Sequence, residues 1–369
     1  MNAHGVWICV GVSLIVSCAH PKSPFDQGLI DAEQARRAKQ LERSQTEFDQ
    51  ALSLAKSDNE RAEAMYRKAH ALLREGQLKP GLQLLLHLAM KYPRSNRAAR
   101  AWLDRGRHLE RAGDLALAEQ SYRQVFSRYP EYGGAITAAR QIVKLRTLQG
   151  ESEIASFQRL RAQNKDRELD AALRYFAAVA AEKTDKTAAL SGYEELAALY
   201  PLPRGTYTDE ALLRAAALRR TQLDYDGALS LLQKLTKQDK KASVVGSYTR
   251  AAYLDAYLLR GQILRDNKQD FTGARREFQH LLKRRDHSTV VDEALFELAL
   301  VELRDKGSAC PGLATLKEQR PDSKYLECSP QLCRASETAE PMPTAQCATW
   351  VAQGTATKTR LRPSASAFR

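Results

Sequence analysis

The sequence predicts an all-α solenoid of about seven stacked helix-turn-helix units, and three observations predict it. Gly76, Gly113 and Gly150 lie 37 residues apart, each followed five positions later by a small residue: Gly81, Ala118 and Ala155. Small residues held at a period of this length mark supersecondary units that stack on one another. Between the glycines, apolar residues recur at three-and-four spacing, as amphipathic helices require. Finally, 13 Pro, 19 Gly and 7% aromatics in 369 residues suit helix, and no apolar-polar alternation is long enough to build a sheet.

The middle unit carries the local logic. Trp102, Leu103, Gly106 and Leu109 make one apolar stripe, and Leu115, Leu117, Ala118, Tyr122, Val125 and Phe126 make the next. Gly113-Asp114 interrupts them as a tight inter-helix turn does. Small residues at 106 and 118 allow the two helices to approach closely, and Pro130 closes the second. These residues resemble the tetratricopeptide repeat (TPR): Trp102, Gly106, Leu109, Gly113, Ala118, Tyr122 and Pro130 stand on its signature positions, while Arg105 replaces the usual Leu. The resemblance implies a right-handed solenoid that binds partner proteins.

The copy before has Met65, Ala69, Leu72, Gly76, Gly81, Leu85, Leu88 and Pro93 on the same positions. The copy after is degenerate (Ala139, Val143, Gly150, Ala155, Ala162) and lacks the closing Pro. Later copies begin near 170, 209, 255 and 290, with Ala189, Ala228 and Ala274 at the small position of the second helix. The repeats are expected over residues 58–325.

Residues 6–16 form an apolar run too short to span a bilayer. It ends in Ile15-Val16-Ser17-Cys18, which resembles the lipobox of bacterial lipoproteins. The resemblance implies a signal peptide over 1–17, acylation (palmitate) of Cys18, and a stable membrane anchor from several acyl chains. Ala19 in place of Asp points to the outer membrane and its periplasmic face. Residues 18–30 then read as a tether and 31–57 as a capping helix, with Leu41, Phe48, Leu52 and Ala55 at helical spacing. Residues 326–350 read as a Cys-containing cap, and 351–369, with basic residues and no acid, as a disordered basic tail.

Cys310, Cys328, Cys333 and Cys347 cluster near the end of the chain. An even number in an oxidising compartment predicts two disulfides, with three pairings open. Spacings of 18, 5 and 14 without a CxxC knuckle disfavour zinc.

No GxSxG, HExxH, Walker or GxGxxG motif occurs, so the chain is expected to be no enzyme and to hold no cofactor or metal. Asp266, Asp270, Thr272 and Glu277 are spaced somewhat like a calcium loop, but Lys268 and Phe271 occupy positions that need an oxygen ligand and Gly. The stretch reads as a repeat turn. With 57 basic and 44 acidic residues the net charge is +13. Outside the cytoplasm this favours acidic proteins, lipid head groups or cell-wall polymers over nucleic acid.

In the TPR resemblance, first-helix positions line a concave groove. Here they carry Tyr66, Arg67, His70 and Arg74; Arg100, Leu103, Asp104, Arg107 and Arg111; Arg140 and Lys144; Arg174 and Tyr175; and Arg214. Such a basic wall with interleaved aromatics suits an extended acidic segment. The Tyr-Pro closures at 92–93, 129–130 and 200–201, with the lipobox, resemble repeat lipoproteins of β-barrel assembly, secretin-pilot and motility machines. They imply a scaffold for envelope proteins. The alternative is a cell-wall coordinator that binds peptidoglycan or its synthases.

Overall fold

The computed structural model describes residues 23–203, 205–238, 243–244, 248–249, 251–283 and 288–334. The expected signal peptide, Cys18, Cys347 and the expected basic tail lie outside the described residues. The chain divides into two compact units at Gly134/Ala135.

The first unit holds α1 (Pro24–Arg37), α2 (Leu41–Leu54), α3 (Asp58–Arg74), α4 (Leu78–Lys91), α5 (Ala98–Arg111) and α6 (Leu115–Arg128). Each odd helix packs against the next, giving three hairpins. The second unit runs α7 (Ala135–Leu148), α8 (Glu153–Gln163), α9 (Arg167–Ala181), α10 (Lys186–Leu199), α11 (Thr208–Thr221), α12 (Tyr225–Thr236), α13 (Ala251–Asp266), α14 (Phe271–Leu282), α15 (Ser288–Lys306) and α16 (Cys310–Gln319). These make five more hairpins, followed by a 3-10 turn (Lys324–Cys328) and α17 (Ser329–Arg334). Ser243–Val244 pairs antiparallel with Tyr248–Thr249. The fold is therefore an α-solenoid of TPR-like repeats, with eight hairpins among the described residues.

The extra hairpin corrects the reading of the N-terminus. Where the sequence suggests a tether over 18–30 and one capping helix over 31–57, α1 and α2 form a complete pair. Its turn hid because it contains no glycine. In seven of the eight described hairpins the turn between the helices contains one residue with left-handed backbone, and the α9–α10 turn does without one. Gly76, Gly113, Gly150 and Gly307 supply it at φ between 76° and 89°, but Lys39, Leu223 and Gln269 supply it at 60°, 64° and 54°. An acceptor follows several of these turns. Asp114, Asp224 and Asp270 each cap the N-terminus of the second helix through the side chain. Asp270 of the calcium-like stretch is thus a helix cap that accepts from the Gly273 amide at 2.8 Å.

Close helix approach is built at the fourth residue of each second helix. Ser44, Gly81, Ala118, Ser156, Ala189, Ala228 and Ala274 occupy it, and all are buried. The 37-residue rule picks Ala155 in the degenerate copy, yet Ala155 is exposed. There α8 starts one residue late, so Ser156 takes the position. In the last hairpin Gly312 does this work, since a Cβ there would lie 2.6 Å from Ala299 Cα.

Four residues on, each second helix buries a large side chain: Phe48, Leu85, Tyr122, Leu160, Tyr193, Leu232, Phe278 and Leu316, none more than 1% exposed. Two aromatics meet glycine in the first helix. A Cβ on Gly106 would sit 2.6 Å from the Tyr122 ring, and one on Gly261 would sit 2.5 Å from Phe278. Tyr122 and Tyr193 extend past this contact to donate hydrogen bonds to Glu110 (2.8 Å) and Glu182 (2.7 Å). Arg105, on the position where the TPR pattern has Leu, is buried and donates across the hairpin to Ser121 Oγ at 2.5 Å.

A buried ionic cluster ties α11, α13 and α15. Arg265, 2% exposed, pairs with Asp266 at 2.7 Å and with Glu297. Gln262 donates to Glu297 at 2.7 Å, and Arg220 reaches Asp266 at 3.5 Å. Asp266 is therefore a structural counter-ion. At the C-terminus Cys310 is disulfide-bonded to Cys333 with Cα atoms 5.0 Å apart. Cys328 and Leu332 are fully buried in the same cluster, against Phe296 and Leu313.

Gly106→Ala should destabilise the protein by about 1–3 kcal/mol, because the new methyl overpacks against the fully buried Tyr122. Urea unfolding followed by helical circular dichroism reads this. Gly133, where a Cβ meets nothing within 4 Å, is the control: Gly133→Ala should leave the midpoint within about 0.5 kcal/mol of wild type.

Candidate binding surface

In the first unit, four of the expected groove residues, Tyr66 and His70 of α3 and Arg100 and Arg107 of α5, gather around the Asp104 carboxylate. Asp104 is 5% exposed. It accepts from the Tyr66 hydroxyl at 2.6 Å, from Arg100 Nε at 3.1 Å and from an Arg107 guanidinium nitrogen at 3.1 Å. His70 Nε2 touches it at 3.3 Å, without the alignment of a hydrogen bond. Burial pushes the Asp104 carboxyl up, but His70, the Tyr66 hydroxyl and the Arg100 charge outweigh burial and hold it well below the usual carboxylate range. The same contact, added to burial, pushes the Tyr66 phenol up.

The surface around this carboxylate is cationic. Arg100 also donates to Tyr132. His108, whose ring centroid lies 6.3 Å from that of His70, is pushed below its ordinary value by burial and then by the Arg111 charge. Arg74 and Arg111 are exposed and make no ion pair among the described residues. Arg67 does not stand free: Glu63 accepts from it at 2.6 Å and also pairs with Arg97.

In the second unit the groove residues fall into two sets. Arg140 lies with its guanidinium carbon 4.8 Å over the Phe176 ring. Tyr175 stacks on Tyr207 at 5.0 Å and accepts from Arg214 Nε at 3.0 Å. Arg214 is also clamped by both oxygens of Glu182, at 3.0 and 3.1 Å. Lys144 lies exposed on α7. Arg174 departs from expectation: it is tied to Asp170 at 2.6 Å and to Glu195 of α10 at 2.5 Å. It thus faces the second helix of its own hairpin, and Tyr200 and Arg161 join it on Asp170.

The sequence missed Glu63, Arg97, Tyr132 and Glu182. Arg97 lies just before α5, outside the first-helix template, yet its guanidinium covers the Tyr66 ring at 4.9 Å. Glu63 carried a signal, since it stands three residues before Tyr66 on the same helix. The arrangement holds cations and aromatics on helices, tied to carboxylates of the same helices and their neighbours. It can grip carboxylates through charge-assisted bonds.

Asp104→Asn should cost about 1–3 kcal/mol at pH 7 by leaving its cations without a charged acceptor. Because the folded carboxyl is depressed, its contribution is present above the unfolded value of about 4 and is lost as pH falls below it. The gap between wild type and Asp104→Asn, read by urea unfolding from pH 7 to pH 2.5, should therefore close on the acid side.

No family model matches the chain, and no curated protein matches it. Solved structures do. A tetratricopeptide repeat protein from Parabacteroides merdae aligns at 13% identity and a TM-score of 0.34, over 75% of this chain and 98% of its own. The C-terminal part of a TPR repeat-containing protein from Cytophaga hutchinsonii aligns at 14% and 0.42, over 73% and 98%. The TPR2AB domain of yeast Sti1, solved in complex with pHSP90, aligns at 12% and 0.29, over 83% and 98%. These are likenesses of helical-hairpin architecture, at identities too low to carry a function across.

Proposed function

We propose that the protein is a non-catalytic TPR scaffold, anchored to a bacterial outer membrane through acylated Cys18, that binds extended acidic segments of envelope proteins. One observation carries the binding half. In the first unit the single buried carboxylate of Asp104 serves Arg100, Arg107 and His70 together, while Arg74 and Arg111 lie exposed nearby. Positive charge therefore exceeds its internal counter-ions on a surface made of rigid helices, and an acidic segment supplies the missing balance. The anchoring half is supported by the Ile15-Val16-Ser17-Cys18 motif after its apolar run.

Arg74→Glu/Arg111→Glu reverses the exposed charge without touching the Asp104 network. It should abolish capture of envelope proteins by the purified chain while helicity stays unchanged; undiminished capture would refute the surface. A palmitate analogue should label wild type and not Cys18→Ala, and label persisting in the variant would refute the anchor.

A further inference from the structure

Away from the first-helix faces, the second unit carries an open cleft of about 660 Å³ between α10 and α12, bounded at one end by the loop that leads into α11. Its floor is apolar, made by Ala197, Ala198, Leu202, Leu212 and Leu231. This size falls within the roughly 300–1,000 Å³ of small-molecule sites, which pair an apolar lining with a few placed polar groups.

The two lips differ in charge. On one, Arg219 donates to Glu194 at 2.6 Å and also pairs with Asp224, so its charge is satisfied internally. On the other, Lys234 and Lys237 stand exposed one helical turn apart at the end of α12, and neither makes an ion pair among the described residues. Two unpaired ammonium groups over an apolar floor select a ligand with an anionic head and a hydrocarbon body.

We propose that this cleft binds a medium- to long-chain fatty acid, with its carboxylate on Lys234 and Lys237 and its chain against Leu202, Leu212 and Leu231. Lys237 and Lys234 give charge-assisted hydrogen bonds to the head. Each methylene that reaches the floor tightens binding roughly fourfold, from the free energy of burying a CH2 group.

Titration calorimetry of the full chain with octanoate, decanoate and dodecanoate, each below its micelle concentration, tests this. The expected result is saturable one-to-one binding that tightens roughly tenfold or more for every two carbons added. Decyltrimethylammonium should bind at least about tenfold more weakly than decanoate. Ala198→Trp, a filling change at an exposed position, should abolish the heat of decanoate binding. Lys234→Glu/Lys237→Glu should remove the preference for the anion and keep the dependence on chain length. Circular dichroism confirms that both variants stay folded. Unsaturable partition, equal affinity for the cationic amphiphile, or unchanged binding by Ala198→Trp would each overturn the proposal. The outcome is independent of the first-helix surfaces, which none of these changes touches.

Discussion

Every hairpin in this protein depends on letting two helices approach closely at one point. A single amphipathic pair exposes too much apolar surface to be stable alone, so pairs must stack. They stack only if each is thin enough to present a flat face. Thinness comes from the fourth residue of the second helix, which is Ser44, Gly81, Ala118, Ser156, Ala189, Ala228 or Ala274 in the first seven hairpins. The large residue one turn later then drops into the space beside the partner helix. For two of the four aromatics at this position the partner thins as well, as Gly106 does under Tyr122 and Gly261 under Phe278.

The charges follow from the same geometry. First helices bury their apolar stripe against second helices and turn polar residues outward. Cations there are held by a few carboxylates: Asp104 and Glu63 in the first unit, and Glu182 and Asp170 in the second. Side chains held this way lose little freedom when a ligand arrives, so a partner gains affinity by matching a fixed pattern. The excess of Arg and Lys, dispersed in sequence, becomes local surplus charge because the carboxylates are so few. The buried Arg265–Asp266–Glu297 group works differently. It is buried and joins α13 to α15, and Arg220 on Asp266 adds α11.

The hairpins from α3 onward were largely legible, because a glycine with left-handed backbone and a small residue five positions later sit in plain sight at Gly76 and Gly113. The reading failed where other residues do the same physical work. Lys39 takes the glycine's conformation, and so the first hairpin looked like a tether and one helix. Ser44 and Ser156 replace Gly or Ala, because a serine in a helix is small enough for close approach. That Tyr66, His70, Arg100, Asp104 and Arg107 stand on α3 and α5 was legible from helical position alone. Arg174 was not, because its orientation is decided by Asp170 and Glu195, which no first-helix template includes. Glu182, which neutralises Arg214, lies at the helix cap and was likewise invisible to a rule about helix faces.

Helix approach near the start of each second helix, at the fourth residue in the first seven hairpins and at Gly312 in the last, sets the fold, and not the 37-residue period itself. The degenerate hairpin separates the two, because the period selects exposed Ala155 and the structure selects buried Ser156. The direct measurement is the urea unfolding free energy of Ser156→Leu and Ala155→Leu. The account predicts a loss of about 1–3 kcal/mol for Ser156→Leu from overpacking, and a change within about 0.5 kcal/mol for Ala155→Leu. A large loss for Ala155→Leu with none for Ser156→Leu would contradict it.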